Sequence, residues 1–263
     1  MDRNRYKGYL LDLDGTIYRG NEIIPGVVEF LSALKQQQIP YLYLTNNASV
    51  TPQQVAERLQ KMGVDAKADE VYTSAMATAQ YLREQAGEGS KVYMIGEHGL
   101  REALLEAGFT ISEDEPQYVV VGIDRSFTYE KLAVAARAVR NGAVLIATNG
   151  DAAVPTNKGL YPGNGSLVAA VSVASGKAPV VVGKPEPIIV RYALQKLGVS
   201  GEETIIVGDN LHTDIEAGAK SGLDSLLVLT GFSTADEAAS SPVKPTYIAR
   251  DLLEWRDRVK LLG

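Results

Sequence analysis

Short apolar runs recur along the chain, each closed by small or polar residues and each followed by a stretch with apolar residues every three or four positions. The first run, Tyr9-Leu10-Leu11, leads into Asp12-Leu13-Asp14-Gly15-Thr16 and reads as a strand entering a loop. From Pro25 the pattern is helical, with Val27, Leu31 and Leu34 on one face. Residues 39–44 read as a second strand, ending at Thr45-Asn46-Asn47. Thr51-Pro52-Gln53-Gln54 predicts a helix start, with a Thr cap, Pro at N1 and Gln at N3. Val55, Leu59 and Met62 form its stripe, and Gly63 is placed to end it. A further helix covers 74–85, and the glycine-rich break Gly87-Glu88-Gly89-Ser90 is a candidate domain boundary.

Beyond that break, strands at 91–96, 118–122 and 144–147 alternate with helices at 97–107 and 128–141. A long polar loop over 154–165 and a helix over 166–175 complete what reads as a small α/β unit of its own. The opening rhythm then returns. Val180-Val181-Val182 runs into Gly183-Lys184-Pro185, and a helix carries Ile188, Tyr192 and Leu197. Residues 204–207 run into Gly208-Asp209-Asn210, followed by a helix with Ile215 and Ala219, and 226–229 form another strand. Asp251 caps a helix bearing Leu252, Trp255 and Val259.

Composition narrows the possibilities. The 263 residues allow one large or two modest domains, and 45% apolar with 22% charged residues is ordinary for a globular chain. A net charge of −6 argues against a nucleic-acid or anionic-membrane footprint, whereas a phosphorylated metabolite needs only a local cation. Without cysteine there is no disulfide, thiolate nucleophile or Cys-based metal site. Arg3, Arg5 and Lys7 are not followed by an apolar segment resembling a signal peptide. No apolar run approaches the roughly 20 residues of a membrane helix. A cytoplasmic location is therefore expected.

Four apolar strands end in polar groups: Asp12 and Asp14, Thr45 and Asn46, Lys184, and Asp209. Alternating βα units imply a parallel sheet, which binds ligands outside the carboxyl ends of its strands and would gather all four groups at one edge. Period-two geometry sends Asp12 and Asp14 to one side, where two carboxylates repel unless a cation or shared proton compensates. Hard oxygen ligands favour Mg²⁺, and the set suits a phosphate bridging that ion, neutralised further by Lys184. Structural readings stand beside these. The Asp-Gly pair can be a plain turn, Lys184 a solvated cation, Asp209 an Asx turn and Asp214 a helix-start carboxylate. Gly163-Asn164-Gly165-Ser166 can be an anion-binding helix start or a plain turn and cap. His98 and His212 do not make a metal cage, and His212 falls at a surface or substrate-edge position.

Taken together, Asp12-Leu13-Asp14-Gly15-Thr16, Thr45, Lys184 and Gly208-Asp209-Asn210-Leu211-His212-Thr213-Asp214 resemble the four motifs of haloacid dehalogenase superfamily phosphatases. The stretch between Thr45 and Lys184 resembles the α/β cap of the NagD-like, p-nitrophenyl-phosphatase-like branch. The resemblance covers essentially the whole chain. It implies an α/β fold, with a Rossmann-like parallel-sheet core over 1–79 and 178–263 and an inserted α/β cap over 80–177. It also implies a Mg²⁺-dependent phosphomonoesterase for small phosphorylated metabolites such as sugar or sugar-acid phosphates, as a monomer or homodimer. Asp12 would attack phosphorus, and Asp14 would protonate the leaving alcohol and then deprotonate the attacking water. Asp12, the Asp14 backbone carbonyl and Asp209 would hold Mg²⁺, with Gly208, Asn210 and Asp214 in support. Asp214 would act through a bound water or by positioning Lys184. Thr45, the Asn46 backbone amide and Lys184 would steady the phosphate oxygens. Asp124, Asn149, Asp151 and Asn164 are the cap's candidate substrate contacts. A phosphosugar mutase would use the same aspartates with a sugar hydroxyl in place of water, and a non-catalytic phosphometabolite sensor is the alternative outside enzymes.

Overall fold

The strand Gly8–Leu11 is fully buried, with Leu10 and Leu11 0% exposed. A strand covered on both faces is the mark of a parallel sheet sandwiched by helices, and the apolar run that encodes it has no polar side to offer. In the computed structural model, which describes residues 5–87, 89–156 and 159–261, this strand is internal to a six-stranded sheet. The order is Tyr247–Ala249, Asp224–Val228, Thr204–Gly208, Gly8–Leu11, Tyr41–Thr45, Val71–Thr73. Tyr9 pairs in parallel with Ile205 on one flank and Tyr41 on the other. The chain thus builds outward on one side of its first strand, and later returns to build outward on the other. That reversal of direction leaves a crevice at the carboxyl ends of Gly8–Leu11 and Thr204–Gly208.

Helices cover this sheet as their patterns predict. Val27–Gln36 buries Val27, Phe30, Leu31, Ala33 and Leu34. It starts at Gly26, whose left-handed φ of 86° and close approach to Leu253 exclude a side chain. Helix Pro52–Lys61 has the expected capping box, Gln54 N donating to Thr51 Oγ1 and Thr51 N to Gln54 Oε1. Asp251 caps Leu252–Val259 by accepting from Glu254 N, and Trp255 is wholly buried against Tyr247 and Tyr6.

A second unit contains its own five-stranded parallel sheet, ordered Val180–Val181, Val144–Ala147, Tyr118–Val121, Lys91–Ile95, Thr110–Ile111. Its core joins Ile95, Val119, Val121, Leu145 and Ala147 to Val134, Val139, Val168 and Val171 of helices Tyr129–Arg140 and Asn164–Ser175.

Two expectations change. Val180–Val181 does not extend the six-stranded sheet but pairs with Ile146 and Ala147 of the second one. Within the stretch expected as a loop, Ala153–Thr156 and Gly159–Pro162 pair antiparallel, and the next helix starts at Asn164; Asn157 and Lys158 lie outside the described residues. The chain splits into two compact units, one of Met1–Thr45, Val55–Tyr72 and Lys184–Gly263, the other of Asn46–Gln54 and Thr73–Gly183. Arg3 and Glu88 lie outside the described residues. Among the described residues no helix is long and apolar enough to cross a membrane.

Candidate active site

Past Leu11 the sheet ladder continues by one bond, Asp12 N to Val207 O at 2.9 Å, and the chain then turns sharply. Leu13 O accepts from the amides of Thr16, Ile17 and Tyr18, while Gly15 N donates to Tyr18 O at 2.8 Å. Gly15 turns with φ 83°, and its carbonyl accepts from Thr230 Oγ1 at 2.6 Å. Three glycines make room for carboxylates. A Cβ at Gly15 or Gly231 would lie 2.3 or 1.9 Å from Asp209 Oδ2, and one at Gly208 would lie 2.1 Å from Asp214 Cγ. The loop after Asp224–Val228 completes the frame, with Phe232 N donating to Asp209 Oδ2 at 2.6 Å and Ser233 N to Asp209 O at 2.9 Å.

Lys184 lies inside this frame, its side chain 3% exposed. Its Nζ donates to Asp12 Oδ1 at 2.6 Å, to Asp214 Oδ1 at 2.6 Å and to Leu44 O at 3.0 Å. Asp214 Oδ2 accepts from Asn210 N at 3.2 Å, and the Asn210 side chain accepts from His212 N to open the π-helical turn Leu211–Ile215. Asp214 is therefore a brace for the lysine, and Asn210 is a brace for Asp214. Desolvation pulls the Lys184 ammonium down, but Asp12 and Asp214 outweigh it and hold its pKa above the ordinary value.

The carboxylates are not balanced by that one ammonium. Burial pushes Asp12 well above the usual carboxylate range; Lys184 opposes the shift, while Asp214 and Asp209 add to it. Asp209 is pushed up to about 6, by burial first and Asp214 next, against the Phe232 amide and Lys184. One oxygen from each of Asp12, Asp209 and Asp214 lies within 4.8 Å of the others. Hard, crowded, incompletely neutralised oxygens in glycine-cleared space fit a divalent cation. The Asp14 side chain is not in this trio. It is exposed, yet the surrounding walls desolvate its carboxyl and raise its pKa, against the pull of Arg58 and Tyr18. Thr45 ends its strand buried beside the lysine-bonded Leu44.

The cap candidates behave differently. Asp124 takes Ser126 N and Oγ at 2.9 and 2.7 Å and Lys131 Nζ at 2.6 Å, and these hydrogen bonds outweigh burial and lower its pKa. Asp151 accepts from Asn46 Nδ2, and Asn46 O accepts from Ser74 Oγ and Asn149 Nδ2. Asn164 Nδ2 donates to Val121 O and Asn149 O. These side chains tie the second unit's loops together. The helix start at Gly163-Asn164-Gly165-Ser166 is a plain cap, because Gly165 N donates to Asp151 O and Ser166 N to Gly163 O. His212 is exposed, as expected of a surface position.

Sequence reasoning missed the loop at Gly231-Phe232-Ser233 and the pair Tyr18 and Arg58. Tyr18 sits close behind the aspartate motif, a position that invited the question. Nothing in the spacing points to Asp209 as the partner of the 231–233 loop, or to Tyr18 as the partner of Arg58.

Comparison with known proteins follows the same lines. The family model for haloacid dehalogenase-like hydrolases matches residues 9–110, and a second model of that hydrolase group matches 181–255. The 5'-nucleotidase YutF of Bacillus subtilis is 50% identical over 250 residues, covering 95% of this chain and 97% of that protein. An acid sugar phosphatase of Staphylococcus aureus is 49% identical over 251 residues, covering 95% and 96%. The structure of NagD from E. coli K-12 superposes with a TM-score of 0.89 at 43% identity, covering 95% of this chain and 98% of that one.

Proposed function

The chain belongs to the haloacid dehalogenase-like hydrolases, and from that premise we propose that it is a Mg²⁺-dependent phosphomonoesterase working through an aspartyl-phosphate on Asp12. The observation that carries this reading is the buried Lys184 Nζ, 2.6 Å from both Asp12 and Asp214, beside a carboxylate trio that it only partly neutralises. A lysine in that position orients one Asp12 oxygen and leaves the other to attack phosphorus.

Asp12, Asp209 and the Asp14 backbone carbonyl would hold Mg²⁺, which would supply charge neutralisation for the phosphate and the attacking carboxylate. Asp12 forms its bond to phosphorus as the bond to the leaving oxygen breaks. Asp14, whose pKa is raised by its desolvating surroundings, gives that oxygen its proton. The same carboxylate then takes a proton from the water that opens the aspartyl-phosphate. Lys184 stabilises charge on the phosphate oxygens, with Thr45 and the Asn46 amide as further donors. General acid–base help of this kind is worth about 10²–10⁴ in rate.

The names of the relatives, an acid sugar phosphatase and a 5'-nucleotidase, support small phosphorylated metabolites as substrates, with sugar phosphates and nucleoside monophosphates both among them. Such anions are retained inside cells, so the same reading keeps the chain in the cytoplasm. Phosphate release from a panel of sugar phosphates, sugar-acid phosphates, nucleotides and p-nitrophenyl phosphate, with and without Mg²⁺, tests it. The expected result is Mg²⁺-dependent release that Asp12→Asn abolishes; full activity of that variant would remove Asp12 as nucleophile.

A further inference from the structure

Among the described residues, the Asp14 carboxylate takes one side-chain hydrogen bond, from the Tyr18 hydroxyl to Oδ2 at 3.2 Å. Tyr18 is 3% exposed and begins a short strand, Tyr18–Arg19, paired antiparallel with Glu22–Ile23. Its backbone is tied into the aspartate loop on both sides, N to Leu13 O at 3.2 Å and O from Gly15 N at 2.8 Å. The loop that carries Asp14 thus also fixes where the phenol starts.

Behind the ring stands Arg58 of helix Pro52–Lys61, its guanidinium 4.4 Å from the ring centroid. Arg58 Nη1 donates to the Tyr18 hydroxyl at 3.4 Å and Nη2 donates to Gly20 O at 2.7 Å. A guanidinium has donors only, so the phenol oxygen must accept from Arg58. Its single proton is then left for Asp14. The chain Arg58 to Tyr18 to Asp14 has one direction, and that direction is set by Arg58.

We propose that Tyr18 is a positioning residue for Asp14, its hydroxyl holding Oδ2 so that Oδ1 carries the proton exchanged with the leaving group, with Arg58 orienting the hydroxyl. The proposal rests on the phosphatase reading above. In the first half-reaction the bond from Asp12 to phosphorus forms and the bond from phosphorus to the leaving oxygen breaks. The proton on Asp14 Oδ1 passes to that oxygen, while Tyr18 keeps its own. A carboxylate free to rotate misplaces the proton donor, and misplacement by about 1 Å is enough to cost a large factor in rate.

The test separates positioning from mere support. p-Nitrophenolate leaves as a stable anion and needs little protonation, whereas an alkoxide needs a proton as it departs. kcat/KM reports the step in which the leaving group goes. Tyr18→Phe and Arg58→Met are compared with wild type on p-nitrophenyl phosphate and on the alkyl monoester from the panel that wild type hydrolyses best. For Tyr18→Phe, kcat/KM on the alkyl monoester is expected to fall about tenfold more than on p-nitrophenyl phosphate, a fraction of the general-acid effect. Arg58→Met, which keeps the hydroxyl, shows the same selectivity to a smaller extent. An equal fall on both substrates, or no fall on either, overturns the proposal while leaving the phosphatase reading intact. Absence of phosphate release by wild type from every monoester overturns that reading, and this proposal with it.

Discussion

The molecule contains two parallel α/β sheets whose strand ends handle charge in opposite ways. In the six-stranded sheet, Asp12 and Asp209 are driven above their ordinary pKa values, because burial and neighbouring carboxylates outweigh one lysine. In the five-stranded sheet the strand-end aspartate Asp124 is driven below its ordinary value, because Lys131 and Ser126 saturate it. Its polar loop residues Asn149 and Asn164 are neutral amides that donate to backbone carbonyls. The architecture is shared, so it does not locate the chemistry; the unreconciled charge does.

The strongest way to break this comparison is to remove charge from the first sheet. Asp12→Asn should cut phosphate release by at least about 10⁴-fold, the scale of losing a covalent nucleophile. Its thermal midpoint should hold or rise, because one of several mutually repelling groups is gone. A loss of fold together with activity would mean the carboxylate holds the structure and not the reaction.

Next in size is a substitution that adds no charge. Gly231→Ala would place a Cβ 1.9 Å from Asp209 Oδ2 and push that carboxylate out of place. We expect about 10²-fold lower kcat/KM and a higher Mg²⁺ requirement, read from a Mg²⁺ titration. Unaltered Mg²⁺ dependence would show that Asp209 can move freely.

A smaller effect concerns stability. The Asp209 carboxyl titrates at about 6 in the folded chain, against an ordinary 3.8. The folded state therefore holds the extra proton between those values, and the contribution of this group to stability falls as pH rises from about 4 to about 6. In chelator, Asp209→Asn should be more stable than wild type by about 1–3 kcal/mol at pH 7 and no more stable near pH 4, by urea unfolding. Mg²⁺ should close the gap by stabilising wild type.

The smallest effect has the reverse sign. Asp124 has a lowered pKa, so its contribution is present above the unfolded-state value and lost as pH falls through the folded one. Asp124→Asn should cost about 1 kcal/mol at neutral pH, shrinking in acid. A stabilising Asp124→Asn would erase the contrast between the sheets.

Much of this was legible in the residues. An apolar run buried on both faces cannot alternate, so the strands at 8–11, 41–45 and 204–208 announce a parallel sheet, and its ligand edge follows from topology. What a run of valines does not encode is its partner: Val180–Val181 suits either sheet, and only the structure assigns it to the second. The hairpin over 153–162 was hidden because Leu160 and Tyr161 are exposed and leave no inward-facing pattern. At the loops, Asn149 and Asn164 donate to backbone carbonyls, a demand of buried backbone that composition alone does not reveal. Arg58 and Gly231 were invisible because their roles depend on approach in space, to Tyr18 and Asp209, and not on spacing.

The internal place of Gly8–Leu11 also has a consequence for how the protein comes into being. This strand leaves the ribosome long before Thr204–Gly208, which supplies one of its flanks. Until that segment has been synthesised, an apolar edge with open backbone groups waits beside the nascent polypeptide. Asp12 at its tip likewise cannot meet Lys184 before residue 184 has been translated. Partial chains therefore need protection from one another.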